Sequence, residues 1–368
     1  MKRIIAIALV TNTIIFTTFG TQASEKFRLI GDQNYQTGEK FKETELGGLS
    51  GLVFDAKKNK LLVISDDKSE KTDARFYEFD LKLDDKSFSL SKADVITLKN
   101  QDGTPFPKDT ADFEDIAILN GDLLITSEGR INKSPPLDPE VLVFGRDGKY
   151  KFNIDVPEKF KPMKGIESKS GVRDNLAFEA LTVSNDGKEF WVGSEESLFQ
   201  DGRTSGPKHA SIVRLIQYKD SKPVKEVAYH LETVPSVSVA GLVVGVTGLS
   251  AIVAIDDSTF YSIERIYLPL ARKTIVRIFK FKITDKTTDI STMDAIASKK
   301  ITTVEKELIA NLDDFTSSMS DQFKVVDNVE GICFGPKLAN GHRTLIMVSD
   351  NNFSKRQRTQ FLAFEIIP

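Results

Sequence analysis

Cysteine is almost missing from this chain of 368 residues: Cys333 is the only one, so no intrachain disulfide can form and stability must come from packing. Cys333 sits in the alternating run Gly331-Ile332-Cys333-Phe334, which reads as a buried strand and gives the thiol a packing role. Histidine is scarce too. His209, His230 and His342 are the whole supply, which leaves little room for histidine-based catalysis, although His209 stands near Lys208 and Arg203. There is no Gly-x-Ser-x-Gly elbow, His-Glu-x-x-His, Walker loop or Cys-x-x-Cys, which removes the commonest routes to serine hydrolysis, zinc proteolysis and nucleotide binding. Ser50 and Ser250, in two Gly-Leu-Ser motifs, read as strand-entry turns, not nucleophiles. An excess of one charge is also lacking. With 50 basic and 53 acidic residues the net charge is −3, so no positive field draws nucleic acid.

Long apolar runs are confined to two places. The first 23 residues open with Lys2 and Arg3, continue through a mostly apolar stretch from Ile4 to Phe19, and end on the small-residue site Thr21-Gln22-Ala23. This is the layout of a cleavable secretory signal, cut after Ala23, and it predicts a periplasmic or secreted mature chain of net charge −5 comprising one domain over 24–368. The polar break at Thr11-Asn12-Thr13 argues against a retained anchor, which needs about 20 predominantly apolar residues. The second run, Val239 to Ile255, is interrupted by Gly241, Gly245, Thr247, Gly248 and Ser250 and reads as a loop leading into a buried strand. No membrane insertion is expected after signal cleavage. Helical periodicity is missing except around Met293–Ser298, where a short helix is expected.

What is present is a repeat. Five segments align, starting at Ser50, Glu114, Glu179, Ser250 and Glu330, each reading as strand, tight turn and strand. Asn59-Lys60, Asn120-Gly121-Asp122, Asn185-Asp186-Gly187 and Asp256-Asp257-Ser258 supply turn residues that tolerate left-handed backbone. A third alternating strand follows each hairpin, as in Phe76 to Leu81, Glu140 to Phe144 and Val276 to Phe281. The pattern is that of an all-β protein, a β-propeller of five or six blades. The spacings of 64, 65, 71 and 80 residues exceed the usual blade, so the longer intervals hold either long loops or a sixth, degenerate blade. The N-terminal run Phe27 to Gly31 and the C-terminal run Phe361 to Ile367 are suited to close the ring together.

Acids recur at matching places. Glu114, Glu179 and Glu330 open their hairpins, while Asp66, Glu128, Glu195, Glu264 and Asp350 close them. Opening and closing residues of one antiparallel hairpin lie side by side, so these carboxylates are expected to converge at one mouth of the central channel. Repeat acids can also serve only to accept hydrogen bonds from turn amides. Two details favour a ligand: Arg75, Arg130, Arg173, Arg203 and Arg265 accompany the acids, and Asp350-Asn351-Asn352 concentrates oxygen-bearing side chains. Carboxylate and amide oxygens suit Ca2+, and arginines suit a small anionic ester. The loops Asn132–Glu140 and Pro157–Arg173 are long enough to cover part of that mouth.

The motifs resemble a known family. Gly47-Gly48-Leu49-Ser50-Gly51-Leu52 with Ser65-Asp66-Asp67, Asp112-Phe113-Glu114-Asp115 with Ser127-Glu128, Asn175 with Phe178-Glu179, and Val329-Glu330-Gly331-Ile332 with Ser349-Asp350-Asn351-Asn352-Phe353 are similar to the bacterial family named for an esterase-like activity of phytase. The likeness spans about residues 45 to 366. Asp115 and Ala180 replace the glycine expected after the glutamate, a change that would alter how closely a ligand approaches those turns. The resemblance implies a propeller that hydrolyses phosphate esters. Glu114, Glu179 and Glu330 are then the candidate catalytic acids; Asp66, Glu128, Glu195, Glu264, Asp350 and Asn351 the candidate metal ligands; and Arg75, Arg130, Arg265 and Asn352 the candidate substrate contacts. A calcium-dependent lactonase or carboxylesterase, or a non-enzymatic calcium-stabilised binding propeller, would use the same residues.

Overall fold

The computed structural model describes residues 25–162, 170–235, 244–320 and 324–368. Twenty of its strands form five four-stranded antiparallel sheets, and these are the blades. Blade 1 runs from the inside outward as Leu49–Asp55, Lys60–Ser65, Arg75–Leu83 and Phe88–Thr97; blade 2 as Phe113–Leu119, Asp122–Ser127, Glu140–Phe144 and Tyr150–Ile154. Blade 3 comprises Phe178–Val183, Glu189–Ser194, Ile212–Lys219 and Lys222–His230, and blade 4 comprises Val246–Ala254, Thr259–Leu268, Lys273–Lys282 and Glu305–Asn311. Blade 5 takes Val329–Phe334, Arg343–Ser349 and Arg358–Ile367 from the C-terminal end and its outer strand, Lys26–Gln36, from the N-terminal end. Lys26 pairs with Ile367 and Gln36 with Arg358, so the two ends close the ring as the terminal runs suggested. The long repeat intervals hold loops, not a sixth blade. The segment read as a secretory signal and part of the Val239–Ile255 run lie outside the described residues; Val246–Ala254 is the inner strand of blade 4. Among the described residues no helix is long and apolar enough to cross a membrane.

Apolar packing is distributed over five seams, one between each pair of neighbouring blades. Leu52, Val63, Tyr77 and Phe79 of blade 1 meet Cys333, Ile346, Val348 and Phe361 of blade 5, and equivalent clusters fill the other four junctions. Cys333 is buried in its seam, and burial pushes its thiol up, as expected of a packing residue. The inner faces of the five inner strands therefore line a channel, not a core.

The helix expected at Met293–Ser298 does not form. The main-chain carbonyls of Met293 and Asp294 accept hydrogen bonds from the guanidinium of the fully buried Arg214 (2.9 and 3.2 Å), and Ile296 N donates to Asp201 Oδ1 (2.9 Å). Arg214 also grips Asp201 through Nε and Nη2 (2.6 and 2.9 Å) and Glu226 (2.9 Å). This network has claimed the backbone groups that a helix turn would need, and it pins the segment to blade 3.

Ring closure rests on aromatic packing at the last seam. Phe361 has no exposed surface and meets Tyr35 and Phe79 edge-on, at centroid distances of 6.1 and 5.4 Å. Phe361→Ala is expected to lower unfolding free energy by about 3–5 kcal/mol, through lost burial and the cavity left between blades 5 and 1. Chemical denaturation measures this, and a loss below about 1 kcal/mol would mean that the seam does not hold the ring.

Candidate metal and anion site at the channel mouth

The same irregularity occurs near the start of every inner strand. Leu49 pairs with Ser65, Phe113 with Ser127, Phe178 with Ser194, Leu249 with Glu264 and Val329 with Ser349, and immediately after each of these pairs the register slips. Ser50, Glu114, Glu179, Ser250 and Glu330 sit in the slip, without a ladder partner. A bulge bends the strand and re-aims the bulged side chain, and here it points a glutamate from three of the five blades towards the channel mouth.

The closing acids are fixed by main chain. Asp66 N donates to Gly48 O (2.6 Å), Glu128 N to Asp112 O (3.0 Å), Glu195 N to Ala177 O (2.6 Å) and Asp350 N to Asn328 O (2.9 Å). Each bond holds the residue after the last paired serine beside the entry to its own inner strand.

Two groups of carboxylates result. One oxygen each from Asp66, Asp112 and Glu114, and one each from Glu114, Glu128 and Glu179, lie within 4.8 Å of one another. Glu195, Glu330 and Asp350 continue the arc. Among these eight carboxyl groups stand Lys68 and Arg265. Lys68 Nζ is 2.7 Å from Asp112 Oδ1, 3.9 Å from Asp66 Oδ2 and donates to Asn175 Oδ1 at 3.3 Å. Arg265 donates to Glu195 Oε1 (2.8 Å), Ser250 Oγ (3.0 Å) and Asn328 Oδ1 (3.1 Å), and its Nη2 is 3.4 Å from Glu330 Oε1. Asn328 in turn donates to Glu330 Oε1 (2.9 Å).

The electrostatic consequence is a set of carboxyls that resist ionising. Burial, reinforced by neighbouring acids, holds Asp66, Glu114, Glu128 and Glu179 well above the usual carboxylate range. Burial raises Glu195 to about 7 against the pull of Arg265, and burial together with Glu330 raises Asp350 to about 8. Lys68 is also pushed up, by Asp66, Asp112 and Glu114, and so stays a cation despite its partial burial.

A divalent cation fits this donor set. Among the described residues, Asp66 Oδ1 and Glu128 Oε2 are buried oxygens without a hydrogen-bond partner. Such oxygens are costly to leave unpaired. Ligands at 2.3–2.6 Å from one ion can lie up to about 5 Å apart across it, so oxygens that all lie within 4.8 Å of one another can share an ion, and an all-oxygen set selects a hard cation.

Several expectations are corrected by placement. Glu264 is outside the cluster: register puts Arg265, not Glu264, at the place held by Asp66, Glu128, Glu195 and Asp350 in the other blades. Successive strand residues face opposite sides, so Glu264 is buried behind the strand, accepting from Tyr229 Oη (2.8 Å) and Glu232 N (2.9 Å) and paired with Lys306. Arg75 is not free for a ligand either: it is fully buried against Asp67 (2.5 Å), Tyr77 Oη (2.7 Å) and Glu45 O (3.0 Å). Arg130 stands at the edge, paired with Asp109 and 3.9 Å from Asp112. Asn351 is committed to backbone, accepting from Gly48 N (3.1 Å) and Phe353 N (3.0 Å), so it braces the loop instead of facing an ion. Asn352 does face open space beside Arg265. Asp115 turns away from the mouth and accepts from Ile116 N (2.8 Å) and Leu181 N (2.9 Å), tying inner strands together over Gly51. His209 hydrogen-bonds Thr204 O (2.6 Å), and Arg173 donates to Ser197 O (2.8 Å) and Gly202 O (2.6 Å).

Lys68, Asp112 and Asn328 were not singled out from the sequence. The signal was there for two of them: Asp112 and Glu114, like Asn328 and Glu330, are two apart at a strand entry and share a side.

The raised acids set a sign for pH dependence. An unfolded chain releases their protons from about pH 4 upward, whereas the folded chain holds them to about 7 at Glu195 and about 8 at Asp350. Their contribution to stability is whole below about pH 4 and is lost as pH rises through that window. In chelator, Tm is expected to fall between about pH 5 and about pH 8, and millimolar divalent cation is expected to abolish the fall. A chelated Tm that is flat or rising over this range would show the carboxylates to be ionised and internally compensated.

A search of curated proteins finds no match to the chain. Among solved structures, an endo-arabinase from Bacteroides thetaiotaomicron is 12% identical, covering 90% of this chain and 98% of that one at a TM-score of 0.41. A β-xylosidase is 9% identical, covering 90% and 94% at 0.46, and a periplasmic gluconolactonase of Pseudomonas aeruginosa is 11% identical, covering 88% and 90% at 0.36. Identities this low say nothing of substrate. The family model described as esterase-like activity of phytase matches residues 44–353, and the chain belongs to that phytase-like family.

Proposed function

We propose that the protein is an exported, Ca2+-dependent hydrolase of phosphate esters acting at the channel mouth. The observation that carries this reading is the pairing of under-coordinated buried carboxylates, Glu114, Glu128 and Glu179 with Asp66 and Asp112, and an arginine, Arg265, a few ångströms along the same arc. Acids alone would repel an anionic ester; acids that hold a divalent ion beside an arginine attract one. A bound Ca2+ would offset phosphate charge and lower the pKa of a coordinated water. More than four oxygens from separate loops and strands suit the larger, less rigid coordination of Ca2+.

The chain's own groups divide the remaining work. Arg265, anchored by Ser250 and Asn328, presents its guanidinium to the transferring phosphoryl oxygens. Glu330, held between Asn328 and Arg265, accepts the proton of the attacking water. Asp350, raised to about 8, keeps its proton at neutral pH and donates it to the leaving alkoxide as the ester P–O bond breaks.

The test uses chelator-stripped protein, phytate and an aryl phosphate. Added Ca2+ is expected to restore phosphate release, and Glu179→Gln to lower kcat by about 100-fold. Glu264→Gln separates site from scaffold: it leaves Lys306 under-compensated and should lower Tm while leaving turnover per folded molecule in place. Hydrolysis of carboxylic esters or lactones with no phosphate release would overturn the phosphate assignment, and Ca2+ that raises Tm without any turnover would leave a binding propeller.

A further inference from the structure

Lys68 follows the closing pair Asp66-Asp67 of blade 1, and its backbone is left-handed (φ 52°). That conformation is rare for a long side chain and costs about 1–3 kcal/mol, so it persists only where the surroundings impose it. Asp109 helps to impose it, its main-chain amide donating to Lys68 O at 2.6 Å. The side chain is 20% exposed, against 41% for Lys71 three residues on, and lies over the mouth. Its ammonium meets groups from three blades: Asp66 Oδ2 of blade 1 at 3.9 Å, Asp112 Oδ1 at the entry to blade 2 at 2.7 Å, and Asn175 Oδ1 on the approach to blade 3 at 3.3 Å. Asn175 is left-handed too (φ 56°).

The place of this ammonium bears on how many ions the arc can hold. The acids form two overlapping groups that share Glu114: Asp66, Asp112 and Glu114 on one side, and Glu114, Glu128 and Glu179 on the other. By oxygen count either group could take a divalent ion, and two-metal sites hold their ions about 3.5–4 Å apart. The two groups differ in what they already contain. An ion shared by Asp66 and Asp112 would sit about 2.3–2.6 Å from their oxygens. Lys68 Nζ, 2.7 Å from one carboxylate and 3.9 Å from the other, already stands beside both. In the second group no lysine or arginine pairs with Glu114, Glu128 or Glu179 among the described residues, and Glu128, only 2% exposed, has Oε2 without a hydrogen-bond partner there. Beyond it Arg265 takes up Glu195 Oε1 at 2.8 Å and lies 3.4 Å from Glu330 Oε1.

We propose that Lys68 is a tethered cation filling the place of a second metal ion, so that the arc binds a single divalent ion, at Glu114, Glu128 and Glu179. A charge carried on the chain offsets Asp66 and Asp112 whatever the ion concentration, and it repels a divalent ion brought to the same oxygens. It thereby sets the ion on the side of the arc that leads to Arg265. The inference rests on the divalent ion of the reading above and not on turnover of any ester.

The test is a count of ions. Chelator-stripped protein is titrated with Ca2+ by calorimetry, and the Ca2+ retained after gel filtration is measured by elemental analysis. The unmodified chain is expected to bind one Ca2+, and Lys68→Met, which keeps the length of the side chain without its charge, to bind two. Lys68→Met/Asp112→Asn removes a ligand from the vacated group and is expected to bind the second ion at least about tenfold more weakly. The Tm of Lys68→Met should fall below that of the unmodified chain in chelator and recover in millimolar Ca2+, as the ion takes over the lysine's place. A count other than one in the unmodified chain, a count other than two in Lys68→Met, a second ion indifferent to Asp112→Asn, or a Lys68→Met chain that stays unfolded in Ca2+ each overturns the proposal. If the unmodified chain binds two ions and releases phosphate from esters, the hydrolase stands and the tethered cation falls. If the counts are one and two and no ester is turned over, the tethered cation stands and the hydrolase falls.

Discussion

Five β-bulges, one near the start of each inner strand, are the feature on which the rest of the mouth depends. Without the extra residue, strict alternation would carry the bulged side chain in step with the ladder. With it, Glu114, Glu179 and Glu330 leave the ladder; Glu114 and Glu179 meet the closing acids of the preceding blades, and Glu330 meets Arg265, the closing residue of blade 4. The residue after each bulge must be small or must bond across the seam. Gly51 and Gly331 lie so close to the next strand that an added Cβ would stand 2.3 Å from Asp115 Oδ1 or 2.7 Å from Leu52, and Asp115 fills the place by bonding Leu181 N.

Bringing eight carboxyls together costs stability, and the structure offsets only part of that cost. Lys68 and Arg265 each serve several acids, at opposite ends of the arc, while Glu114, Glu128 and Glu179 between them have no cation in contact among the described residues. Two blades contribute serine, not glutamate, at the bulge, and one of these, Ser250, accepts from Arg265. The arc is thus graded, from a purely acidic segment suited to a divalent ion to a mixed segment suited to an anion.

The two most distinctive sequence motifs serve assembly as much as chemistry. Gly47-Gly48 and Asn351-Asn352-Phe353 meet at the junction of blades 1 and 5. Gly48 N donates to Asn351 Oδ1 at 3.1 Å, and an added Cβ at Gly47 or Gly48 would lie 2.9 or 2.7 Å from the Phe353 ring. Asn352 and Phe353 both hold left-handed backbone (φ 46° and 49°), a conformation stabilised by the Asn351 bonds. The motif keeps the last blade's loop seated on the first and so positions Asp350 and Asn352.

Alternation, turn residues and the recurrence of acids were enough to read an all-β propeller, the inner three strands of each blade and the convergence of Asp66, Glu114, Glu128, Glu179, Glu195, Glu330 and Asp350, because these are local patterns written along single strands. The outer strands, such as Glu305–Asn311, were not legible, since a half-exposed edge carries too few apolar residues to show a period. Blade number also waited for the structure, as loop length and a missing blade give the same spacing. The exchange of Glu264 for Arg265 could be decided only by pairing, because a one-residue difference in register reverses the face, and adjacent residues look equivalent in a linear alignment. The same holds for Arg75, Arg173 and Asn351: their charge or amide suggested a ligand, and only tertiary contacts show that each is already bonded to the protein itself.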